Sequence, residues 1–350
     1  MFDGCHCDLL RTTSELEQFQ SSWNALWNED GNSTPFQSPA WLLPWWRQFG
    51  QPGLAAVVLS RHTWPIAFLP FYAHHEPQQD ISRLLLLGTG TTDYLDGVFS
   101  PDCKVEHVKF ALECVLSMDG CNSMVALQLR KSSKLFKAMR REDRREVESF
   151  RSESCLRIRA VHLDAFPQEM RQSVRSDRNR AAHYGKLELE LADEHSWKQA
   201  FDALIHLHAK RWQSVDQPGL LADHKVLAFH YEAIPLLLKQ RMFRLQLLRL
   251  DGEPIAAAYS LVDPHDRRAR TQYLYLITHS FEHAELHPGT LLLAAMMEQA
   301  AEEGVAWIDL LRGEESYKDL WHAEQEPTFG FAIRWRRNGS EAGLPGQLCA

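Results

Sequence analysis

Several short segments of the 350-residue sequence combine residue types that could do chemistry, and the first is a turn before a helix. His287-Pro288-Gly289-Thr290 precedes an apolar, helix-forming run that begins at Leu291. The first N–H groups of a helix lack partners within the helix, and the macrodipole favours an anion there. Glycine also lets a phosphate approach the main chain. The turn therefore indicates an anion site, although most Pro-Gly pairs before helices are only turns.

The second segment follows a predicted strand and runs from Asp309 to Lys318. Ligands of open α/β sheets bind beyond the carboxyl ends of the strands, and Asp309 ends an apolar run. Asp309 could act as a base, and Tyr317 could protonate a leaving group. In an equally favoured alternative, Arg312 and Lys318 neutralise Asp309, and the resulting ion pairs fix the turn.

A third candidate is a histidine on the apolar face of a predicted helix. Helical spacing puts Trp197, Phe201, Leu204, His208 and Trp212 on one face, which we expect to point inward. An imidazole with a pKa near 6.5 suits a general base at neutral pH. A buried, hydrogen-bonded histidine without a catalytic role is the commoner outcome of this pattern. His208 is therefore a candidate base, with a core position as the alternative.

Two further segments carry groups that could bind a substrate. Arg175 and Arg178 lie on one face of a predicted helix, and arginine can bind phosphate or carboxylate through two parallel hydrogen bonds. A solvated face is the alternative. Asp93, Tyr94 and Asp96 follow a Gly-rich loop and could bind an amine, but aspartates there also form turns. Both interpretations stay open for each segment.

The elements that position these residues follow from hydrophobic periodicity and turn signals. In the second half, Asp251-Gly252 between two apolar runs predicts a hairpin. The helices predicted there are Gln168–Tyr184, Trp197–Trp212 and Thr290–Glu303, and the strands are Leu156–Val161, Leu187–Leu191, Phe243–Leu250, Ile255–Val262, Arg270–Thr278, Val305–Leu311 and Thr328–Trp335. The first half has a similar mixture, with helices at Ser14–Trp27 and Val105–Met118 and strands at Leu54–Ser60, Ile66–Tyr72 and Val125–Leu129. The pattern predicts an α/β (α+β) fold.

Length and charge limit the possible functions. A chain of 350 residues predicts two domains, which we place at 1–150 and 151–337, with 338–350 as a flexible tail. The 38 Lys and Arg residues against 46 Asp and Glu give a net charge of −8, which argues against a general DNA or RNA binder. The basic segment 130–151 predicts a solvated helix at the domain boundary and, less often, a nucleic-acid contact.

Other signals are weak or missing. The sequence has no apolar run of eighteen residues and no signal-peptide pattern, so we expect a cytoplasmic protein without a transmembrane segment. Seven cysteines in no paired motif fit reduced thiols. Cys5 and Cys7 lack a second pair, and we expect no metal site. Walker, dinucleotide-binding and nucleophile-elbow motifs do not occur.

An ordered series of segments extends from residue 35 to residue 335. Its members are 35–41, 90–96, the Arg-rich helix ending at 184–185, the helix with 208–212, and the segments 251–257, 288–292 and 308–321. The series resembles GNAT-type acyltransferases of the BioF2-like and cellulose-biosynthesis CelD-like group, which are related to the Fem-type aminoacyltransferases. The resemblance implies tandem GNAT-like lobes, each a mixed twisted sheet flanked by helices.

The resemblance also implies a reaction and a co-substrate. An acyl group, acetyl above all, would pass from a CoA thioester to a primary amine of a small molecule or of a polysaccharide or envelope precursor, without a metal. The residues implied in binding the CoA donor are Tyr275, Ile277, Pro288, Gly289, Thr290 and Leu291. Arg312 and Lys318 would hold an anionic part of the acceptor or orient Asp309.

One departure from the family pattern keeps alternatives open. The longer glycine-bearing pyrophosphate loop of the family is reduced here to Gly289. A non-catalytic binding module of a surface-polymer pathway is therefore one alternative. A Fem-like transferase that uses charged tRNA is another, and the net charge of −8 opposes it. The sequence leaves the acceptor and the oligomeric state undetermined.

Overall fold

Helices and strands alternate along much of the chain. The computed structural model describes residues 3–50, 53–76, 81–118, 120–141, 146–214, 216–267, 269–313, 318 and 321–335. The α-helices, in chain order, are α1 (Thr13–Gln18), α2 (Gln20–Glu29), α3 (Pro39–Phe49), α4 (Val105–Leu116), α5 (Lys134–Met139), α6 (Gln168–Ala182), α7 (Trp197–Gln213), α8 (His224–Lys239) and α9 (Pro288–Glu302). The strands are β1 (Cys5–Leu10), β2 (Ala56–Arg61), β3 (Trp64–Leu69), β4 (Phe71–Glu76), β5 (Ile81–Leu86), β6 (Val98–Phe99), β7 (Ser123–Arg130), β8 (Glu146–Arg159), β9 (Leu187–Leu191), β10 (Phe243–Leu250), β11 (Glu253–Val262), β12 (Thr271–His279), β13 (Trp307–Asp309) and β14 (Glu324–Arg334). Among these helices, none has the length and apolarity needed to cross a membrane.

The chain forms two compact units, and each is assembled from separated segments. The described residues of unit 1 come from 1–32, 50–152 and 328–335, and those of unit 2 come from 33–49 and 153–327. Helix α3 therefore belongs to unit 2, although a division of the chain between residues 150 and 151 would place it in the first domain.

Unit 1 contains antiparallel and parallel strand pairs. Strands β1, β2, β3 and β6 are neighbours in that order, and so are β4, β5, β7 and β14, with β5 and β7 parallel. Its core is aliphatic and aromatic, and it includes Val57, Leu69, Phe71, Leu112 and Phe331. Helices α4 and α5 cover this core because their apolar faces supply buried side chains to it.

Unit 2 holds most of the predicted functional segments. Its strands lie in the order β8-β13-β12-β11-β10-β9, and only β12 and β13 run parallel in this series. Helices α6 and α9 contribute Val174, Ala181, Leu292 and Met296 to its core. The predicted mixed α/β class, with sheets flanked by helices, is confirmed.

The predicted hairpin between β10 and β11 is confirmed in detail. Leu250 pairs with Glu253, so the loop is the two-residue Asp251-Gly252 pair. Both residues have positive φ, 48° at Asp251 and 87° at Gly252. This is the conformation of the hairpin turns whose twist matches the flanking strands.

Two predictions of secondary structure were wrong, and one helix was missed. Ile66–Tyr72 is not one strand, since β3 ends before Pro70 and β4 begins after it, and proline lacks the N–H that a ladder needs. The segment 130–151 contains the short, largely buried helix α5 and the start of β8 rather than one solvated helix. Helix α8 was not predicted, and Pro235 within it explains why.

Aromatic rings that are buried or half-buried link α3, α8 and two strands of unit 2. The His230 ring of α8 lies 5.9 Å from Trp41 of α3, 5.2 Å from Tyr259 of β11 and 5.4 Å from Tyr275 of β12. His230 Nδ1 lies 3.2 Å from the Tyr259 hydroxyl. Its Nε2 has no hydrogen-bond partner among the described residues. Burial lowers the pKa of His230 to about 3, so the ring is neutral at ordinary pH.

Gly97 of unit 1 provides a test of packing. A Cβ at this position would lie 2.7 Å from both Leu69 Cδ2 and Phe99 Cζ and 2.9 Å from the Phe68 carbonyl oxygen. We expect Gly97→Ala to lower the free energy of unfolding by about 1–3 kcal/mol because the core must shift. Gly31→Ala, where a Cβ would meet nothing within 4 Å, is the matched control. Chemical denaturation measures both, and equal stability of the two variants would contradict the packing.

His230 gives a prediction about pH. The unfolded histidine titrates near 6.5 and the folded one near 3, so only the unfolded state gains this proton between these values. Stability that is present above pH 6.5 is therefore lost as the pH falls towards 3. His230→Gln should reduce the pH dependence of the free energy of unfolding by up to about one proton in this window. His224→Gln, on the exposed start of the same helix, is the control. An unchanged slope in His230→Gln would refute the assignment.

Candidate functional site

The candidate site lies where β12 and β13 separate. The two parallel strands pair only from Thr271 to Tyr273 of β12, and the last pair joins Tyr273 to Asp309. Beyond this pair β12 continues to His279, still paired with β11. In the described part of the chain, no strand pairs with this second half of β12 on its other side. The strand therefore presents an open backbone edge.

Hydrogen bonds after Asp309 explain why the strands separate. Leu310 donates its N–H to the Leu156 carbonyl at 2.6 Å, and Leu156 donates to the Leu311 carbonyl at 3.3 Å. The chain thus follows β8 instead of β12. Leu311 has a positive φ of 55°, and its N–H donates to Asp309 Oδ1 at 2.8 Å. The Asp309 carboxylate, which is buried, thereby fixes the turn at which the strands separate.

Lys318 stabilises the same turn through its ammonium group. Its ammonium donates to the carbonyls of Arg312 at 2.9 Å and Gly313 at 3.3 Å, and it is almost fully buried. Arg312 lies 3.6 Å from the Glu153 carboxylate. The structure therefore gathers Asp309, Arg312 and Lys318 at one turn. The predicted acid Tyr317 lies outside the described residues.

A β-bulge lies at the start of the open edge. Tyr259 of β11 pairs with Leu276 and Ser260 pairs with Leu274, so Tyr275 is an extra residue in β12. Bulges bend a strand and redirect its side chains, and they are frequent beside active sites. The Tyr275 ring lies 5.2 Å from Trp41 and 5.4 Å from Tyr259. These contacts hold the bulge in place.

The start of α9 offers few free N–H groups. His287 has a left-handed φ of 47°, and its carbonyl accepts hydrogen bonds from Thr290 and Leu291. Pro288 has no N–H. Gly289 is therefore the residue whose N–H has no acceptor among the described residues. A Cβ on Gly289 would lie 3.2 Å from His279 Cδ2, so only glycine fits here without a shift.

The His287 imidazole is held by a buried carboxylate. Its Nδ1 lies 3.1 Å from both oxygens of Asp177 in α6, and Arg180 approaches the same carboxylate at 3.6 Å. Arg180 also donates to the Glu285 carbonyl. No local pattern in the sequence signals this arrangement, because Asp177 and His287 are separated by more than a hundred residues.

The predicted arginines of α6 are paired with carboxylates. Arg178 donates to both oxygens of Glu298 in α9, at 2.6 and 3.3 Å. Arg175 donates to Asp164 at 2.8 Å. These ion pairs neutralise both guanidinium groups, and the first attaches α6 to α9. Substrate binding by Arg175 and Arg178 stays a prediction.

His208 is buried beside the carboxyl-terminal end of α7. Burial, with the cation of Arg211 as the second cause, lowers its pKa to about 4. No hydrogen-bond partner of the imidazole occurs among the described residues. Gly219, at φ 68°, packs against it, since a Cβ there would lie 2.7 Å from His208 Cε1 and 2.5 Å from Trp212 Cδ1. The ring is neutral at pH 7 and can accept a proton.

Arg211 was not selected from the sequence. Its Nη1 donates to the Ile277 carbonyl at 3.4 Å, on the part of β12 beyond the last pair with β13. Basic residues are common near helix ends because they complement the macrodipole, so the position carried no signal. His279, two residues after Ile277, is half-buried, and burial is the main cause of its lowered pKa.

Asp93, Tyr94 and Asp96 lie in unit 1, whereas the other predicted site residues lie in unit 2. Asp96 Oδ1 accepts from the Gly97 N–H and the Ser133 hydroxyl, both at 2.8 Å. Burial raises the pKa of Asp96 to about 7. Tyr94 has a positive φ of 51°, and the Arg130 guanidinium lies 5.3 Å from its ring. Asp93, Tyr94 and Asp96 are thus all buried, and their binding of an amine stays a prediction.

Part of unit 2 matches a known family. Residues 168–319, from α6 to the turn after β13, match the model of the acetyltransferase (GNAT) domain. A search of the curated proteins gave no match to the chain. The described residues hold no group of three or more His, Cys, Asp or Glu side chains that could bind a metal.

Solved structures share the fold over most of the chain. FemX is 11% identical, with 90% of this chain and 96% of that chain covered and a TM-score of 0.62. A conserved protein of unknown function from Bacteroides thetaiotaomicron VPI-5482 is 12% identical, with 94% and 100% covered and a TM-score of 0.60. L-PGS from Bacillus licheniformis is 13% identical, with 91% and 92% covered and a TM-score of 0.57. At such identities the similarity shows the fold alone, while the GNAT match to residues 168–319 supports an acyltransferase.

Proposed function

We propose that this protein is an acyltransferase that moves an acyl group, acetyl above all, from a CoA thioester to a primary amine. The observation that carries the proposal is the open edge of β12, with the start of α9 and the neutral His208 in the same unit. All three lie within the residues that match the GNAT acetyltransferase domain. Membership of the BioF2-like, CelD-like group and a role in polysaccharide biosynthesis stay predictions.

The open edge suits a thioester with an amide-containing arm. Main-chain groups of β12 around Tyr275 and Ile277 would bind the pantetheine arm as a neighbouring strand would. A main-chain N–H there would polarise the thioester carbonyl and stabilise the oxyanion that forms on attack. Gly289 would give the donor phosphates access to the start of α9, where Pro288, Thr290 and Leu291 shape the backbone. With one free N–H in this turn, we expect moderate affinity for CoA.

The reaction would be a direct attack. His208 takes a proton from the amine, whose nitrogen then attacks the thioester carbonyl carbon. The tetrahedral intermediate collapses, the C–S bond breaks, and the CoA thiolate is protonated by Tyr317 or water. Asp309 is the second candidate base. Positioning of the two reactants would contribute most of the acceleration.

Basic side chains of unit 2 would act on the acceptor side. Arg312 and Lys318 would shape the turn beside the acceptor, because their described contacts are with Glu153 and with main-chain carbonyls. Arg175 and Arg178 would contribute only if a substrate displaced their carboxylate partners. In unit 1, Asp93, Tyr94 and Asp96 would be further residues that bind the substrate.

A non-catalytic binding module is the second candidate function. The observation that favours it is the start of α9, where Gly289 alone offers a main-chain N–H without an acceptor in the described part of the chain. Such a module would keep the fold without binding a CoA thioester. Donor binding therefore discriminates between the two functions.

Thermal unfolding with excess acetyl-CoA tests donor binding. A ligand at 100 times its dissociation constant stabilises the folded state by about 2.7 kcal/mol, so we expect the midpoint to rise by several degrees. Gly289→Leu should reduce this rise because the side chain would press on His279 and fill the approach to α9. Gly31→Leu in unit 1 is the control. The absence of any shift with acetyl-CoA, longer acyl-CoAs or CoA would favour the binding module.

His208 provides the test of catalysis. We expect His208→Gln to lower kcat by about 10²–10⁴-fold, since glutamine cannot take the amine proton. His206→Gln, on the exposed side of the same helix, should keep full activity. Release of free CoA thiol measures both. Full turnover in both His208→Gln and Asp309→Asn would disprove the base assignment.

A further inference from the structure

Arg211 is a half-buried cation without a carboxylate partner among the described residues. Its neighbour on α7, Lys210, pairs with Glu282 at 3.2 Å. Within the described residues, Arg211 donates from Nη1 to the Ile277 carbonyl, so other N–H groups of the guanidinium are available. A half-buried cation that lacks a nearby anion is an unbalanced charge, and a bound anion would balance it.

Arg211 lies near two histidines, His208 and His279. Its cation lowers the pKa of His208 and of His279, in each case as a smaller cause than burial, so both imidazoles lie within its electrostatic reach. Two carboxylates of the adjoining segments are engaged elsewhere, Glu282 with Lys210 and Asp177 with His287. Among the described residues, Arg211 thus places a permanent positive charge at the open edge of β12, beside two histidines whose pKa is lowered.

We propose that Arg211 binds an anionic group, carboxylate or phosphate, of the amine acceptor. This inference rests on the proposed transfer to an amine and names the acceptor class. A guanidinium binds either anion through two parallel N–H donors, which gives orientation as well as attraction. Amines without an anionic group would bind less well.

The spacing on α7 indicates the acceptor rather than the CoA donor. His208 and Arg211 are separated by three positions, so they are neighbours on one face with Cβ atoms about 5–6 Å apart. A molecule whose amine reaches His208 can place a carboxylate or phosphate at Arg211 if only a few bonds separate the two groups. Amino acids and phosphorylated amino sugars meet this condition.

Matched pairs of amines test the inference. We use acetyl-CoA with 4-aminobutyrate against n-butylamine for the carboxylate, and glucosamine 6-phosphate against glucosamine for the phosphate. For at least one pair, the wild type should favour the anionic amine by about 10- to 100-fold in kcat/KM, the range of a charged hydrogen-bonded contact. Arg211→Met should remove this preference, which is the ratio of kcat/KM for the two amines of a pair, whatever its rate with the amine that lacks an anionic group. Lys210→Met, which removes the same charge from the adjacent position, should keep the preference.

The remaining outcomes separate this inference from the proposed function. Turnover without preference in the wild type, or the same preference in Arg211→Met, overturns the inference and leaves the transferase intact. If Arg211→Met raises the KM for acetyl-CoA and keeps the acceptor preference, Arg211 would be assigned to the donor phosphates. That result would also overturn the inference. If no amine is acetylated, calorimetry measures whether 4-aminobutyrate or inorganic phosphate binds, and this decides whether Arg211 forms an anion site. Binding of either probe to the wild type, at least about tenfold weaker in Arg211→Met, supports an anion site without the transferase, and no binding overturns it.

Discussion

The separation of β12 from β13 after a single short stretch of pairing is the constraint on which the candidate site depends. Main-chain N–H and C=O groups need hydrogen-bond partners, and a strand edge without them can bind an extended ligand. The separation is fixed by the bonds of Leu310 and Leu311 to Leu156 of β8. The buried contacts of Asp309 and Lys318 with the turn stabilise the same path. The open edge is thus maintained by the structure around it.

Features on both sides of β12 maintain the shape of this edge. The bulge at Tyr275 is packed against Trp41 and Tyr259, so the local bend is supported by buried rings. On the other face, His279 packs against Gly289 at the start of α9. The open edge and the helix start are therefore coupled by direct packing, and a change in either is expected to move the other.

The sequence predicted well those features that depend on local signals. The loop Asp251-Gly252 has the turn chemistry that its hairpin requires, and the strand ending at Asp309 was evident from its apolar run. Helix α8 was missed because Pro235 argues against a helix, and tertiary packing of its apolar face outweighs that cost. The bulge at Tyr275 is a property of register between two strands, which no spacing within one strand encodes. Arg211 became a candidate only when the structure placed it beside Ile277 without a carboxylate partner.

In the proposed function, the electrostatics of the site would join recognition to catalysis. A net charge of −8 opposes the approach of anions to the protein as a whole, so a local cation is needed to attract one. In the structure as described, the cation of Arg211 disfavours protonation of His208 and thereby weakens it as a base. An anion bound to Arg211 would cancel part of that effect, and the pKa of His208 would rise. Burial is the larger cause of the lowered pKa and would remain, so the histidine would still be neutral when the amine arrives. Binding of an anionic acceptor would therefore strengthen the base that its own amine requires.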